Sequence, residues 1–503
     1  MPHTFSYQWD TPAYKGSTSF STGLFIGGEF VDGVKKTTIE RSSGIQTAKG
    51  TLLTTISEAT EGDVDRAVEA ARKAFESTWG LNAGGAQRGE LLYKLAQLME
   101  QHADELAAIE ALDNGKTFGW ARTVDIAFAI DTIKHYAGWA DKVFGSVMET
   151  DERKLAYTRH EPVGVVGQII PWNFPLLMLS WKIGPALATG NAVILKPSEF
   201  TPLTALRMCG LINEAGFPPG SVNIVTGYGN TAGNAISTHM HIDKVAFTGS
   251  TLVGRKVMEA AAKSNLKNVT LELGGKSPTI VFDDANLEQA VNWAAHGLFW
   301  NHGQACCAGT RIFVQEGIHD AFLQKFTEKA KQMKLGDPFG QDIDQGPQVS
   351  QIQFDRIMSY IDSGKAEGAT VHTGGDRFGN EGYFISPTIF TNTTPQMKIV
   401  QEEIFGPVGV VIKFKNADEV LKQANDTPYG LAASVFSQDI NKALETAHKL
   451  QAGTAWVNCH NQLHANIPFG GFKQSGMGRE LGEYALSNYT NVKAVHVNLG
   501  WKM

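Results

Sequence analysis

The sequence of 503 residues has only four cysteines, and two of them, Cys306 and Cys307, are adjacent. Adjacent cysteines close only a strained ring, so the chain is not a disulfide framework and a reducing compartment is expected. CxxC and HExxH motifs are absent, and His239 and His241 form an isolated HxH. We therefore expect no bound metal.

Positive charge and long apolar runs are also scarce. Lys plus Arg total 44 against 51 Asp plus Glu, and the resulting charge of −7 gives no general attraction to nucleic acid or anionic lipid. No run reaches the roughly 20 apolar residues of a membrane span. The first arginine is Arg41, so an Arg-rich transit pattern is absent. These features predict a cytoplasmic protein with no nucleic acid or membrane partner.

The remaining composition is that of an ordinary globular protein, with 42% apolar and 19% charged residues. The length exceeds one ordinary core and favours two to four domains. Leu24 to Val31 predicts a hairpin around two glycines. Apolar residues at helical spacing predict scaffold helices over Asp63 to Ser77, with Asp63 as the cap, over Gln87 to Asn114, and over Val124 to Phe144.

From Gly164 onward, apolar strands alternate with helices, one of them capped by Thr201 with Pro202 at its first position. This order predicts an α/β fold with a Rossmann-like, twisted parallel sheet. Ligands of such sheets bind beyond the carboxyl ends of the strands. The polar and glycine residues expected at that edge are Asn173, Lys196, Glu199, Gly229, Gly249 and Ser250.

Two β-prone segments stand apart from this alternation. Glu149 to His160 mixes charged residues with short β-prone pieces, and Tyr489 to Val497 resembles an exposed strand. Since unpaired edge strands invite pairing with another chain, both segments are candidates for a subunit interface.

The glycine-flanked cysteine pair is the first candidate for covalent chemistry. A thiol acts as a nucleophile only as thiolate, so a reactive cysteine requires a partly exposed, electropositive or dipole-stabilised position. Either Cys306 or Cys307 fits this expectation, and the alternative is a pair of buried small hydrophobic residues.

Two other polar residues lie in apolar surroundings. Glu272 is followed by two glycines, and desolvation there would raise its pKa toward that of a general base; the alternative is the wetter face of a strand. Asn173 lies between Trp172 and Phe174, where an amide facing a cleft would stabilise an oxyanion.

A dinucleotide site is suggested by three further segments. Lys196 and Glu199 follow a buried strand, where a carboxylate would accept hydrogen bonds from a ribose 2′-hydroxyl; a solvated turn is the alternative. Gly249 and Ser250 precede a helix whose N-terminal amides favour phosphate, although an ordinary capped helix is equally compatible. Glu402 to Pro407 places a carboxylate and an aromatic ring before another strand; an ordinary turn is the alternative.

Together these segments resemble the aldehyde dehydrogenase superfamily, from Leu24 to the C-terminus. The similarity is strongest to its NAD-dependent, tetrameric cytosolic or mitochondrial-type members, and the missing transit pattern favours the cytosolic kind. The motifs that carry it, in order, are PWNFP (171–175), VILKPSE (193–199), FTGSTLVG (247–254), LELGGKSP (271–278), GQACCAG (303–309), EEIFGPV (402–408) and PFGGFKQSGMGRE (468–480).

The resemblance implies a role for each matched residue. Cys306, rather than Cys307, would be the nucleophile, Asn173 and the Cys306 N–H would hold the oxyanion, and Glu272 would be the general base. NAD would be the cofactor, with its 2′-phosphorylated form a weaker alternative. The implied cofactor residues are Ile170, Trp172, Lys196, Glu199, Gly229, Gly249, Ser250, Glu403 and Phe405.

The implied substrate tunnel is apolar and aromatic, which favours uncharged substrates. Its residues are Phe174, Leu177, Met178, Trp181, Trp300, Leu463 and Phe469. Trp300 is bulkier than the phenylalanine expected from the resemblance, and Ala305 replaces a cysteine. A narrow tunnel near the thiol predicts oxidation of small or linear apolar aldehydes, such as acetaldehyde, to acids.

The resemblance also implies a domain order. The cofactor domain would comprise residues 1–143 and 163–273, and the second α/β, catalytic domain residues 274–485. Small β oligomerisation segments at 144–162 and 486–503 would build a homotetramer, a dimer of dimers.

Five alternative functions make different demands on the sequence. Transfer of the thioester to coenzyme A would not require Glu272, and semialdehyde oxidation would favour Arg or Lys in the tunnel. Betaine aldehyde is compatible with an aromatic tunnel. A cysteine hydrolase needs a histidine partner that the sequence does not identify, and a noncatalytic protein would not need Cys306 or Glu272.

Overall fold

The structure is a computed structural model that describes residues 2–43 and 51–503. Its strands are β1 (Thr4–Asp10), β2 (Lys15–Ser21), β3 (Leu24–Ile26), β4 (Glu29–Val31), β5 (Thr38–Ser43), β6 (Thr51–Ser57), β7 (Val147–Met148), β8 (Lys154–Pro162), β9 (Val165–Ile169), β10 (Ala192–Lys196), β11 (Val222–Ile224), β12 (Lys244–Thr248), β13 (Asn268–Glu272), β14 (Pro278–Val281), β15 (Arg311–Gln315), β16 (Thr370–Thr373), β17 (Thr388–Thr391), β18 (Val408–Phe414), β19 (Ala432–Phe436), β20 (Thr454–Val457), β21 (Gly476–Met477) and β22 (Thr490–Asn498).

The α-helices alternate with these strands through most of the chain. They are α1 (Glu61–Ser77), α2 (Gly85–Gln101), α3 (Ala103–Asn114), α4 (Phe118–Trp120), α5 (Ala127–Trp139), α6 (Pro175–Ala188), α7 (Leu203–Ala215), α8 (Asn234–Thr238), α9 (Thr251–Lys263), α10 (Leu287–Phe299), α11 (His319–Gln332), α12 (Gln351–Ala366), α13 (Lys398–Gln401), α14 (Ala417–Asn425), α15 (Ile440–Lys449) and α16 (Tyr484–Ser487). Ala121–Ile126 and Gly229–Gly233 are π-helical, and Trp300–Gly303 and Lys473–Ser475 are 3₁₀ turns.

The first large sheet has eight strands in the order β21-β13-β12-β9-β10-β11-β3-β4. Strands β9 to β13 run parallel, and β9, β10 and β12 are fully buried, which explains their continuous apolar sequences. From β9 the chain builds outward first through β10 and β11 and then, on the other side, through β12 and β13. The strand order therefore reverses between β9 and β12, where α/β sheets bind their ligands.

The second large sheet has seven strands in the order β16-β17-β18-β15-β14-β19-β20, all parallel except β16. The two sheets confirm the predicted α/β fold with two parallel-sheet units. β21 comes from the predicted catalytic segment and pairs with β13 of the first sheet. The division of the chain into functional domains stays a prediction.

The two segments outside the alternation form a small antiparallel sheet. β8 pairs with β22 along its whole length, and β7 adds a short third strand. Both segments thus form strands as predicted; β22 is an exposed edge of this sheet, whereas β8 is its half-buried central strand.

Three local predictions were wrong. Thr60, not Asp63, occupies the cap of α1, and the Asp63 carboxylate instead accepts the Thr60 N–H at 2.9 Å from the first turn. The helix predicted over Gln87 to Asn114 is divided at His102 into α2 and α3. Pro202, not Thr201, precedes the first residue of α7.

None of the helices in the described ranges is long and apolar enough to cross a membrane.

Candidate functional site

A cavity of about 150 Å³ lies at the carboxyl end of the first sheet, beside the strand reversal. It is lined by fifteen of the predicted site residues: Trp172, Asn173, Phe174, Leu177, Met178, Trp181, Gly249, Ser250, Glu272, Trp300, Cys306, Glu403, Phe405, Leu463 and Phe469. Residues far apart in sequence are therefore brought into one chamber by the ends of β9, β12 and β13 and by loops of the second sheet.

The cysteine loop has an unusual backbone. After α10 ends, Asn301, His302 and Gly303 adopt consecutive positive φ angles of 49°, 61° and 70°. A Cβ on Gly303 would lie 1.9 Å from the Gly406 carbonyl oxygen, so only glycine fits there. Left-handed conformations cost free energy for residues other than glycine, so the surrounding contacts must hold this turn.

Those contacts come from both sides of the cavity. The Asn301 side-chain amide donates to the carbonyl oxygens of Asn173 at 3.0 Å and Gln304 at 3.1 Å. The Gln304 side chain accepts the Val349 N–H at 3.1 Å. The turn is thereby fixed to the loop after β9 and to the segment before α12.

The two cysteines have different surroundings. The Cys307 thiol is buried and donates to the Asn461 side-chain oxygen at 3.2 Å. Cys306 is partly exposed at the cavity. Among the hydrogen bonds of the described residues, none is donated by the Cys306 backbone N–H. This N–H is available to an oxygen atom in the cavity.

Of the positions expected for a reactive cysteine, Cys306 has a partly exposed one, but its surroundings are not electropositive. A hydrogen bond with Cys307, burial and the negative charges of Glu403 and Glu272 raise the pKa of Cys306 well above its usual value. The sequence places two carboxylates by motif, but their distance from the sulfur depends on tertiary packing. The free protein therefore favours the protonated thiol.

Asn173 is held from its backbone and its side chain. Its side-chain amide donates to the Gln304 carbonyl at 3.0 Å, which joins it to the cysteine loop. An NH₂ group has a second proton, and the cavity is where Asn173 and Cys306 both lie. The pair can supply two N–H donors to one oxygen atom.

Glu272 ends β13 and is 6% exposed, so it does not lie on a wet strand face. Its Oε2 atom is buried and has no hydrogen-bond partner among the residues that the structure describes. Burial and the negative charge of Glu480 raise the pKa of Glu272 well above its usual value, although Lys182 and Arg479 oppose the shift. Glu480 itself is paired with Lys182 beneath the cavity. The raised pKa makes the ionised form of Glu272 a stronger base than an exposed glutamate.

Glu403 approaches the backbone that follows β13. Its carboxylate accepts the Gly275 N–H at 2.9 Å, and a Cβ on Gly274 would lie 2.3 Å from that carboxylate. Burial raises the pKa of Glu403 to about 7. The two glycines thus allow a carboxylate to enter this wall of the cavity.

Four predicted cofactor residues lie outside the cavity, at neighbouring strand ends: Ile170, Lys196, Glu199 and Gly229. The Ile170 N–H donates to the Lys196 carbonyl at 3.1 Å. The Lys196 ammonium lies 3.6 Å from the Glu199 carboxylate, and its stem lies 3.6 Å from the position of a Cβ on Gly233. Gly229 begins the π-helical segment that ends at Gly233. This second cluster continues the edge of the sheet beyond the cavity.

Sequence reasoning missed two cavity residues on α12. Gln353 donates to the Phe405 carbonyl at 2.8 Å, and Arg356 donates to the Glu403 carbonyl at 3.1 Å. These contacts hold the loop that carries Glu403 and Phe405, whose φ is 62°. Neither residue belongs to a motif, so the sequence offered no signal for them.

No histidine ring in residues 2–43 and 51–503 is hydrogen-bonded to Cys306. His302 accepts the Gly346 N–H at 3.1 Å, and His460 donates to the Cys307 carbonyl at 3.1 Å. The arrangement of a cysteine hydrolase, with an imidazole on the nucleophile, is not found there.

Comparisons with known proteins agree with this geometry. The sequence profile of the aldehyde dehydrogenase family matches residues 34–495. An aldehyde dehydrogenase from Agaricus bisporus is 78% identical over 503 residues, which cover 100% of both chains. One from Emericella nidulans is 60% identical over 478 residues, which cover 95% of each.

Solved structures show the same fold. An NAD⁺ complex of aldehyde dehydrogenase from Bacillus cereus has a TM-score of 0.94 at 50% identity and covers 95% of this chain and 97% of that chain. Betaine aldehyde dehydrogenase from Staphylococcus aureus, in complex with NAD⁺, has a TM-score of 0.93 at 42% identity and covers 96% of each chain. This chain therefore belongs to the aldehyde dehydrogenase family and is an oxidoreductase that acts on aldehydes.

Proposed function

We propose that the protein oxidises small or linear apolar aldehydes to carboxylic acids, with NAD as cofactor and Cys306 as covalent nucleophile. The observation that carries this proposal is the single cavity that brings together Cys306, Asn173 and Glu272. A nucleophile, two oxyanion donors and a base in one apolar chamber are the groups that this oxidation requires.

The dinucleotide fits the residues around the cavity. The glycines beside Glu403 leave backbone exposed to a ligand, and Ser250 caps α9 at its N-terminus, where helix amides favour phosphate. Lys196 and Glu199 would hold the adenosine ribose at the adjacent strand end, with Ile170 and Gly229 beside them. Glu403, Phe405 and Trp172 would contact the nicotinamide side. When bound, the oxidised dinucleotide supplies the hydride acceptor and a positively charged ring.

The residues of this chain then have defined tasks. The Cys306 sulfur bonds to the aldehyde carbon, and the carbonyl electron pair moves to oxygen, where the Asn173 amide and the Cys306 N–H donate hydrogen bonds. Departure of hydride from that carbon leaves a thioester. Glu272 takes a proton from water, whose oxygen attacks the thioester carbon and displaces the Cys306 sulfur as the acid forms.

The aromatic cavity favours an apolar substrate. Phe174 and Trp300 pack with their ring centroids 4.9 Å apart, and Trp181 and Phe469 pack at 5.5 Å. The Lys116 ammonium lies over the Phe174 ring at 4.4 Å, so this ring is less able to attract a cationic substrate. This favours an acetaldehyde-like substrate over betaine aldehyde, which remains the alternative within the family.

The small sheet supports association of subunits. β22 has a free edge, and Val492, Leu499 and Trp501 are exposed large apolar residues on or after it. Edge strands pair readily with other chains. We propose that this sheet, residues 144–162 and 486–503, contributes to a homotetramer.

The covalent mechanism predicts separate effects for its two central residues. Cys306→Ala should abolish aldehyde oxidation while dinucleotide binding, measured by fluorescence titration, is retained. Glu272→Gln should keep a rapid burst of NADH but slow the steady state by roughly 100-fold, within the 10²–10⁴ range of general base catalysis. Normal steady-state rates in both variants would refute the mechanism.

The pKa of Cys306 predicts a pH dependence in the free enzyme. Because this pKa is raised above 9, the thiolate fraction, and hence alkylation of Cys306 by iodoacetamide, should rise about tenfold per pH unit from pH 7 to 9. Cys307→Ala removes a hydrogen bond that favours the thiol and should increase the rate at pH 8. Cys459→Ala is the control and should leave the Cys306 profile unchanged. Peptide mass spectrometry measures the rates, and a plateau below pH 8 would contradict the assignment.

The predicted preference for NAD depends on the Glu199 carboxylate. A hydrogen bond to a charged group contributes about 1.5–3 kcal/mol, so Glu199→Gln should lower the NAD over NADP ratio of kcat/KM by about tenfold or more. Dissociation constants for both dinucleotides should shift in the same sense. The matched control is Glu214→Gln, because Glu214 is exposed on α7. An unchanged ratio in Glu199→Gln would show that the preference for NAD does not depend on the Glu199 carboxylate.

Trp300 should limit the length and width of the substrate. Trp300→Phe enlarges the cavity beside Phe174, and each additional buried methylene contributes about 0.8 kcal/mol. The kcat/KM of longer aldehydes relative to acetaldehyde should therefore rise about fourfold per methylene until the space is filled. Trp293→Phe is the control, since Trp293 is on α10, the helix that directly precedes Trp300, but lies outside the cavity. A panel that includes betaine aldehyde and succinic semialdehyde also tests the substrate class, and preference for either charged aldehyde would overturn it.

A further inference from the structure

We propose that Lys116 is a positioning residue for the Asn173 amide, and that Asp125 holds the Lys116 ammonium in place. This inference rests on the proposed function of Asn173 as an oxyanion donor. Its basis is a set of buried contacts that hold the backbone carbonyl of Asn173.

The Asn173 carbonyl oxygen receives hydrogen bonds from three side chains. Lys116 donates at 3.0 Å, Asn301 at 3.0 Å and Asn114 at 3.5 Å. Asn114 also donates to the neighbouring Trp172 carbonyl at 2.7 Å. Asn173 lies in the irregular break between β9 and α6, where no ladder or helix fixes the peptide. The direction of its side chain therefore depends on these donors.

The Lys116 ammonium is almost completely buried, so its hydrogen bonds must be made to protein atoms. The residue is 2% exposed and follows Gly115, which ends α3 with a φ of 95°. Its ammonium donates to the Asp125 carboxylate and to the Asn173 carbonyl and lies over the Phe174 ring. One cation thus contacts the backbone of the oxyanion donor and the aromatic wall that follows it.

The counter-ion comes from a distorted helix. Asp125 is 1% exposed and lies in the π-helical segment Ala121–Ile126, between α4 and α5. Single π-helical turns occur frequently at functional sites. Burial raises the pKa of Asp125, and the nearby Lys116 charge opposes this shift. The pair keeps a charged donor aimed at one carbonyl.

A purely structural role explains this arrangement less well. Desolvation of a buried ion pair offsets most of its attraction, so such pairs contribute little net stability compared with apolar residues. Misplacement of a reacting group by about 1 Å, in contrast, costs roughly 100-fold in rate. Among the described residues, the Lys116 ammonium donates to the Asn173 carbonyl and to the Asp125 carboxylate, and its charge also acts on Glu110 and His302.

The test uses Lys116→Met in the full-length protein. It should lower the single-turnover rate of NADH formation by roughly 100-fold, while the dissociation constant for NAD changes by less than about twofold. Acylation of Cys306 by p-nitrophenyl acetate, followed as the p-nitrophenol burst without dinucleotide, should fall to a similar extent because it passes through the same kind of oxyanion.

Two further variants distinguish positioning from stability. Lys267→Met is the matched control, because Lys267 is also buried and its ammonium donates to the Ser237 carbonyl at 2.9 Å. Lys267 does not line the cavity. This variant should lower the unfolding midpoint and leave both rates unchanged. Asp125→Asn keeps a similar volume and should reduce both rates by several-fold, which tests the inference even if Lys116→Met does not fold. Wild-type rates in folded Lys116→Met or in folded Asp125→Asn would overturn it.

A double-mutant cycle separates this inference from the function on which it rests. Asn173→Ala alone should slow both reactions, and adding Lys116→Met should then have little further effect. Additive losses would show that Lys116 acts elsewhere. Normal rates in Asn173→Ala would instead refute the oxyanion role of Asn173 itself.

Discussion

The amide of Asn301 joins the two halves of the candidate site. By donating to the carbonyls of both Asn173 and Gln304, it connects the loop after β9 with the turn that carries the cysteine. Asn173 completes the junction through its own bond to the Gln304 carbonyl. Because each of these groups is buried, breaking one bond would leave an unsatisfied polar atom at a cost of about 1–3 kcal/mol. The relative placement of sulfur and amide is therefore determined by a small set of directional bonds.

Around this junction, desolvation sets the chemistry of each acid. Glu272 and Glu403 are carboxylates whose pKa values are raised by burial, and the thiol of Cys306 is affected in the same sense. The cavity thus contains three acidic groups whose surroundings favour their neutral forms. A positively charged ring near the sulfur would reverse part of that preference. In the proposed cycle, binding of the oxidised cofactor and activation of the nucleophile are consequently coupled.

Much of the fold was predictable because buried parallel strands have a recognisable sequence pattern. Continuous apolar runs marked β9, β10 and β12, and the residues after them fell at one edge of a sheet. Helix ends were predicted less accurately. Aspartate is a common N-cap residue, yet Asp63 lies in the first turn of α1 and accepts the Thr60 N–H from there. The motifs named most residues of the cavity but only some of their supports. Lys116 and Gln353 reach the site through long-range contacts, and neither carries a local pattern that identifies its partner.

The raised pKa of Cys306 also affects how readily the enzyme is oxidised between turnovers. Peroxides and other electrophiles react with thiolates far faster than with thiols, and sulfinic acid formation is irreversible for most cysteines. A nucleophile that stays protonated while the cleft is empty is exposed to such damage only during the short part of the cycle in which it is needed. Oxidative inactivation should then follow occupancy of the cofactor cleft rather than the time the protein spends in solution.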